Sequence, residues 1–173
     1  MKNTLVIFAH PYLEYSSSNV ELIKFYEKKQ HFTFRDLYED YPDFHIAAFR
    51  ERKRLTEYER IIFHFPLIWF GVPPLLKLWI DEVFDIKWLT DEEKNPMKKM
   101  EAFILITAGG KEESFTKEGT YGKTIEEMLT GFLLSLKITG MNVHEVMKVF
   151  EADTLTKKDM IHQKQKFLEL LNN

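Results

Sequence analysis

Short apolar runs rich in β-branched residues set the terms on which this chain can fold. The first is Leu5-Val6-Ile7-Phe8-Ala9. An uninterrupted run of this kind predicts a strand buried on both faces, the pattern of a parallel sheet covered by helices. Arg60-Ile61-Ile62-Phe63-His64-Phe65 and Ala102-Phe103-Ile104-Leu105-Ile106-Thr107 repeat the signal, and Pro66 stops the former because proline brings no N–H to a ladder. Phe32-Thr33-Phe34 predicts a shorter strand, and residues 142–150 a fifth.

Between the runs the spacing turns helical. Asn19 to Lys29 predicts a helix with Val20, Ile23 and the stem of Glu27 on one face and Leu22, Phe25 and Tyr26 beside it. Asp40-Tyr41-Pro42-Asp43 carries turn chemistry, and His45 to Tyr58 reads as helix. Pro73-Pro74 presets the first turn of a helix running to about Phe84, since proline there removes only an orphan donor. Its Leu75, Leu76, Leu78 and Trp79 read as core or subunit interface. Asp91 to Pro96 predicts a charged surface loop, Gly109 to Gly122 a long loop, and Thr124 to Leu136 another helix. Thr156 with Asp159 forms a capping box for the last helix, whose buried stripe is expected to be Met160, Ile161, Phe167, Leu168 and Leu171. Strand and helix alternate without a repeat, which predicts one α/β domain over residues 1–173, built on a doubly wound parallel sheet. In such sheets ligands sit outside the carboxyl ends of the strands, near the point where strand order reverses.

Composition removes several chemistries. There is no cysteine, hence no disulfide, thiolate nucleophile or dithiol couple, and redox chemistry would need a borrowed cofactor. The first glycine is Gly71, so neither a GxGxxG fingerprint nor a Walker loop follows the first strand. A net charge of -3 argues against a nucleic-acid partner. The opening apolar run is too short for a signal peptide and no later run approaches ~18 residues, so a cytoplasmic protein without membrane insertion is expected.

Three loops remain to hold a ligand. After the first strand, His10 precedes Ser16-Ser17-Ser18-Asn19 at a helix start, where hydroxyls and the helix dipole favour a phosphate without lysine or metal. Simple helix capping also suits Ser and Asn, although one cap needs one such residue rather than four. After the third strand, Pro66-Leu67-Ile68-Trp69-Phe70-Gly71 is a stiff aromatic loop whose backbone N–H groups need partners. A flat heterocycle would supply them, while a role for Trp69 and Phe70 in closing the core fits equally well. After the fourth strand, Thr107-Ala108-Gly109-Gly110 offers glycines able to take positive φ beside a planar ligand, and is as compatible with an empty loop. Together the loops supply a phosphate end, a flat middle and a glycine wall, a shape that fits flavin mononucleotide.

These motifs, with Asp36-Leu37-Tyr38, Tyr41-Pro42-Asp43-Phe44 and Pro73 to Asp81, resemble the flavodoxin-like NAD(P)H:quinone oxidoreductases. The likeness is to their short bacterial branch, which includes ancillary subunits of glutathione-gated potassium efflux systems. The resemblance implies a five-stranded sheet of order 2-1-3-4-5 and FMN held by His10, Ser16, Ser17, Ser18 and Asn19 at the phosphate. Pro66, Leu67, Ile68, Trp69 and Phe70 would line one side of the ring, and Thr107, Ala108, Gly109 and Gly110 the other. It implies hydride transfer from NADPH or NADH to a quinone-like, nitro or azo acceptor in two exchanges, in a homodimer whose second subunit helps close the site, with Trp69 as a pocket wall. Where larger relatives carry a tyrosine and a histidine, this chain has Phe115 and Tyr121, so any donor role falls to the Tyr121 phenol. Leu89-Thr90-Asp91 and Lys98-Lys99 replace a glycine-bearing stretch. Two other readings remain: a flavodoxin-type electron carrier, disfavoured by the near-balanced charge, and a regulatory subunit docking on a potassium efflux transporter.

Overall fold

The computed structural model describes residues 2–27, 29–91 and 95–172. Its sheet has five parallel strands, β1 Thr4–Phe8, β2 Phe32–Asp36, β3 Arg60–Pro66, β4 Glu101–Thr107 and β5 Asn142–Val149, in the order β2-β1-β3-β4-β5. Both the strand count and the order are those expected. In-register pairing runs from Thr4↔Arg60 to Phe8↔His64 between β1 and β3, and from Arg60↔Glu101 to Pro66↔Thr107 between β3 and β4. Pro66 is the last rung, so its missing N–H interrupts nothing.

The central strands are buried on both faces, and alternate residues enter two separate cores. Leu5, Ile7, Ile61, Phe63, Phe65, Ile104 and Ile106 pack on one face, while Val6, Ile62, Phe103 and Leu105 pack on the other. Helices α1 Ser17–Glu27 and, at the chain's end, α8 Lys157–Asn172 cover the second face through Leu22, Tyr26, Met160, Phe167 and Leu171. The first face carries α2 Leu37–Asp40, α3 Ala48–Leu55, α4 Pro74–Val83, α5 Ile86–Thr90, α6 Ile125–Met128 and α7 Thr130–Ile138. There Trp79 is fully buried, and its Nε1 donates to Glu51 Oε2 at 3.1 Å while Tyr41 OH donates to Oε1 at 2.7 Å. Arg54 completes the pairing of this buried carboxylate.

Several expectations need correction. The helix expected over 45–58 is shorter, α3 running from Ala48 to Leu55, and a separate short helix, α2, stands before the expected turn, capped by Asp36, which accepts from Tyr38 N at 2.9 Å. The helix expected over 124–136 opens at Thr124 with a full capping box, breaks at Leu129 and runs on to Ile138. On α1 the buried line is Ser18, Asn19, Leu22 and Tyr26, whereas Val20 and Ile23 are half-buried. On α8 the Thr156–Asp159 box is present, but Ile161 and Leu168 are 59% and 40% exposed. They sit one position beyond Met160 and Phe167, about 100° around the helix and off the core. Of the expected charged loop, Glu92, Glu93 and Lys94 lie outside the described residues, as does Lys28; Asn95 is buried and donates to the carbonyls of Leu89 and Thr139 at 3.0 and 2.9 Å. Among the described residues no helix is long and apolar enough to cross a membrane.

Candidate functional site

Strand order reverses between β1 and β3, so the loops leaving their carboxyl ends part and leave a crevice. A cleft of about 210 Å³ lies there. It brings together His10, Ser16 and Asn19 from the first loop, Pro66, Leu67 and Ile68 from the second, and Thr107, Ala108 and Gly109 from the third. A second cavity of about 630 Å³ opens at the opposite, amino edge, among Lys29, His31, Phe32, Arg60 and Leu171. It lies away from every strand carboxyl end, so size alone is a poor guide to the site.

Ser16 precedes α1 and caps it. Its Oγ accepts from Asn19 N at 3.4 Å and from Asn19 Nδ2 at 2.8 Å. The same Nδ2 donates to Thr107 Oγ1 at 3.0 Å, and Asn19 Oδ1 accepts from Thr107 Oγ1 at 3.3 Å and pairs with His64 Nε2 at 3.0 Å. Asn19 is thereby spent on its neighbours, and Ser18 donates its hydroxyl to the Ala152 carbonyl. Ser17 is exposed and does not line the cleft. The cap, Ser16, is thus also the one serine of the run that lines the cleft, and among the described residues the first-turn N–H groups of Ser17 and Ser18 have no backbone partner.

His10 is buried, and its Nδ1 accepts from Tyr12 N at 3.1 Å. That bond makes Nε2 the protonated nitrogen of the neutral ring. Burial lowers the His10 pKa, and the nearby Glu14 and Asp153 carboxylates oppose the shift. The cleft therefore offers neutral donors beside one carboxylate, Asp153, and its lining contains no Lys or Arg.

The aromatic loop is built differently. Ile68 and Gly71 exchange backbone hydrogen bonds of 3.0 and 2.9 Å, closing a two-residue turn over Trp69 and Phe70 at φ 45° and 63°. Turns with two left-handed central residues ordinarily carry Asn-Gly, and each non-glycine residue held there costs roughly 1–2 kcal/mol. Gly109 and Gly110 are able to take positive φ, but neither adopts it. Those glycines answer to neighbours instead: a Cβ on Gly110 would lie 3.0 Å from the Phe115 ring, and one on Gly109 3.2 Å from Asp153 Oδ2. The Leu67, Ile68 and Gly71 N–H groups, expected to seek a ligand, are paired within the protein. Trp69 is 91% exposed and lies outside the cleft lining, as do Phe70, Gly110, Phe115 and Tyr121. Tyr121 bridges the two loops, its ring 5.0 Å from Phe70 and 4.9 Å from Phe115. The 112–121 turn that carries it needs Gly119, where a Cβ would sit 2.0 Å from the Glu113 carbonyl oxygen.

Four cleft residues escaped the sequence reading: Tyr12, Tyr15, Ala152 and Asp153. The first two share the loop of His10. The others follow β5, whose carboxyl end lies on the same sheet edge as the three loops considered, and that position was the available signal.

With this geometry in view, comparison with known proteins is informative. The model of a family described by its flavodoxin-like fold matches residues 2–171. The uncharacterized NAD(P)H oxidoreductase YrkL of Bacillus subtilis is 30% identical over 168 residues, 97% of each chain. A chain from the crystal structure of a thermophilic tryptophan halogenase of Streptomycin violaceusniger is 30% identical, with 98% of both chains covered and a TM-score of 0.89. General stress protein 14 of Treponema denticola, solved in complex with FMN, is 23% identical over 98% of this chain and 96% of its own, with a TM-score of 0.85. Spanning nearly all of its length, the match places this chain in the flavodoxin-like fold family.

Proposed function

We propose that this protein is an FMN-dependent NAD(P)H oxidoreductase that reduces quinones or related acceptors. The observation that carries the reading is the cleft at the β1/β3 reversal, where neutral donors at one end adjoin an exposed aromatic turn at the other. Its residues fit the group: Ser16, the His10 Nε2–H and the N–H groups opening α1 suit a phosphate dianion, and among the described residues the amides of Trp69 and Phe70 have no internal partner to compete with ring acceptors. The NAD(P)H oxidoreductase name of YrkL and the FMN in the Treponema denticola complex support the same reading.

Bound in this cleft, a flavin would supply hydride-transfer chemistry between NAD(P)H and a second substrate. The chain's own residues do the rest. Ser16 and His10 would hold the anionic end; Pro66, Leu67, Ile68, Thr107, Ala108 and Gly109, which line the cleft, would flank the ring, with Trp69, Phe70 and Gly110 beyond the lining; the tilted Phe115 ring packs on Tyr121, which offers a phenolic O–H. The half-exposed Phe70 and exposed Trp69 form the wall that meets acceptor and, in a homodimer, the second subunit. The test is the visible spectrum under argon. A yellow protein that bleaches on NADPH or NADH within the turnover time supports the reading, and a flavin that stays oxidised overturns it. Because another similar chain bears a halogenase name, the acceptor is the next quantity to measure.

A further inference from the structure

His64 takes no part in the chemistry above, yet it lies at the centre of the sheet, fully buried on the face covered by α1. A buried imidazole needs both nitrogens paired. Nδ1 lies 3.1 Å from Tyr26 OH and Nε2 3.0 Å from Asn19 Oδ1. Among the described residues the buried Tyr26 O–H has no acceptor other than Nδ1, so it donates there; Nε2 then bears the proton and meets the Asn19 amide by its oxygen, which only accepts. Burial holds the His64 pKa down to about 3, so the neutral ring keeps this one assignment across the physiological range.

The direction propagates. With Oδ1 turned to His64, Asn19 presents Nδ2 to Ser16 Oγ at 2.8 Å. That N–H and the Asn19 backbone N–H at 3.4 Å fill both acceptor positions of the Ser16 hydroxyl. Its remaining capacity is to donate, and the cleft is where a partner can stand. Thr107 does not set this polarity, because a hydroxyl serves either orientation of the Asn19 amide. His64 does: a flipped amide would set two N–H groups against each other at Nε2 and turn the Ser16 proton inward.

We infer that Tyr26 and His64 are positioning residues which, through Asn19, commit the Ser16 hydroxyl to donate into the cleft and so select a ligand ending in a fully deprotonated oxyanion. The inference rests on the flavin reading and specifies which end of the flavin the buried chain serves.

The test compares two probes, FMN and riboflavin, which lacks the phosphate, by quenching of flavin fluorescence on the apo form of the full-length protein. His64→Leu should weaken FMN binding about 10-fold or more while riboflavin stays within about twofold, since one charge-assisted hydrogen bond is involved. His64→Gln should restore the wild-type ratio, because its amide can accept from Tyr26 and donate to Asn19. Tyr26→Phe keeps the packing if the leucine variant does not fold, and should reduce the FMN-to-riboflavin preference about threefold. Equal loss of both flavins, no loss of either, or a glutamine variant that behaves like leucine would overturn the inference. A wild type that prefers FMN no more than riboflavin overturns it alone; a wild type that binds neither removes the oxidoreductase reading and this inference together.

Discussion

The two ends of the candidate site solve opposite problems. At the His10–Ser16 end, side chains are buried and each hydrogen-bonding group of Asn19 is matched to a named partner. At the Trp69–Phe70 end, the side chains stand in solvent and the backbone is held in a left-handed turn. The first end is organised by its neighbours before any ligand arrives. The second carries local strain and few internal contacts, which the surrounding fold sustains. On the proposed function, specificity for the anion would belong to the core, and tolerance of varied acceptors to the rim.

The largest effect expected from this contrast is on acid stability. Unfolded, His64 protonates near its ordinary value of 6.5, whereas in the fold it resists down to about 3. The folded state thus binds fewer protons between those values, so stability is full above the window and falls as pH drops through it, by on the order of 5 kcal/mol. Urea melts across that range should show this slope, and His64→Gln should flatten it; an unchanged slope would place the acid sensitivity elsewhere. Next, Asn19→Ala strands His64, Ser16 and Thr107 together and should cost about 3 kcal/mol in unfolding free energy. A loss below 1 kcal/mol would mean that the buried end is no better organised than the rim.

Rim variants should instead spare the fold. Tyr121→Phe, with both ring contacts kept, should slow flavin reduction by roughly 10-fold in stopped flow with little change in melting temperature. An unchanged rate removes the phenol from the chemistry. The smallest effect has the opposite sign: Trp69→Gly relieves a left-handed backbone and should raise stability by about 1 kcal/mol while acceptor turnover falls. Destabilisation by this variant would show that the exposed indole has partners in solution, a second subunit foremost among them.

The sheet was legible because burial on both faces leaves uninterrupted apolar runs such as Leu5 to Ala9, and the three loops then followed from chain order. Helix details were less so. Ile161 and Leu168 are apolar residues that simply face solvent, and the break at Leu129 is announced only by Gly131, two residues further on and itself helical. His64 did leave a trace, a polar residue inside Ile62-Phe63-His64-Phe65, and Asn19 and Tyr26 share one face of α1 seven residues apart. What failed was joining those two signals, which meet only when α1 packs on β3. The positive φ at Trp69 and Phe70 was invisible, since both residue types ordinarily avoid that conformation and loop closure imposes it here.

The turn that closes over Trp69 also separates two clocks. Its two backbone hydrogen bonds fix the Cα position, so the turn moves only when both break, whereas the exposed indole can change rotamer in picoseconds to nanoseconds. On the proposed function, the loop would be a fixed pivot bearing a fast paddle, and acceptors of different outline would be met by rotating one ring.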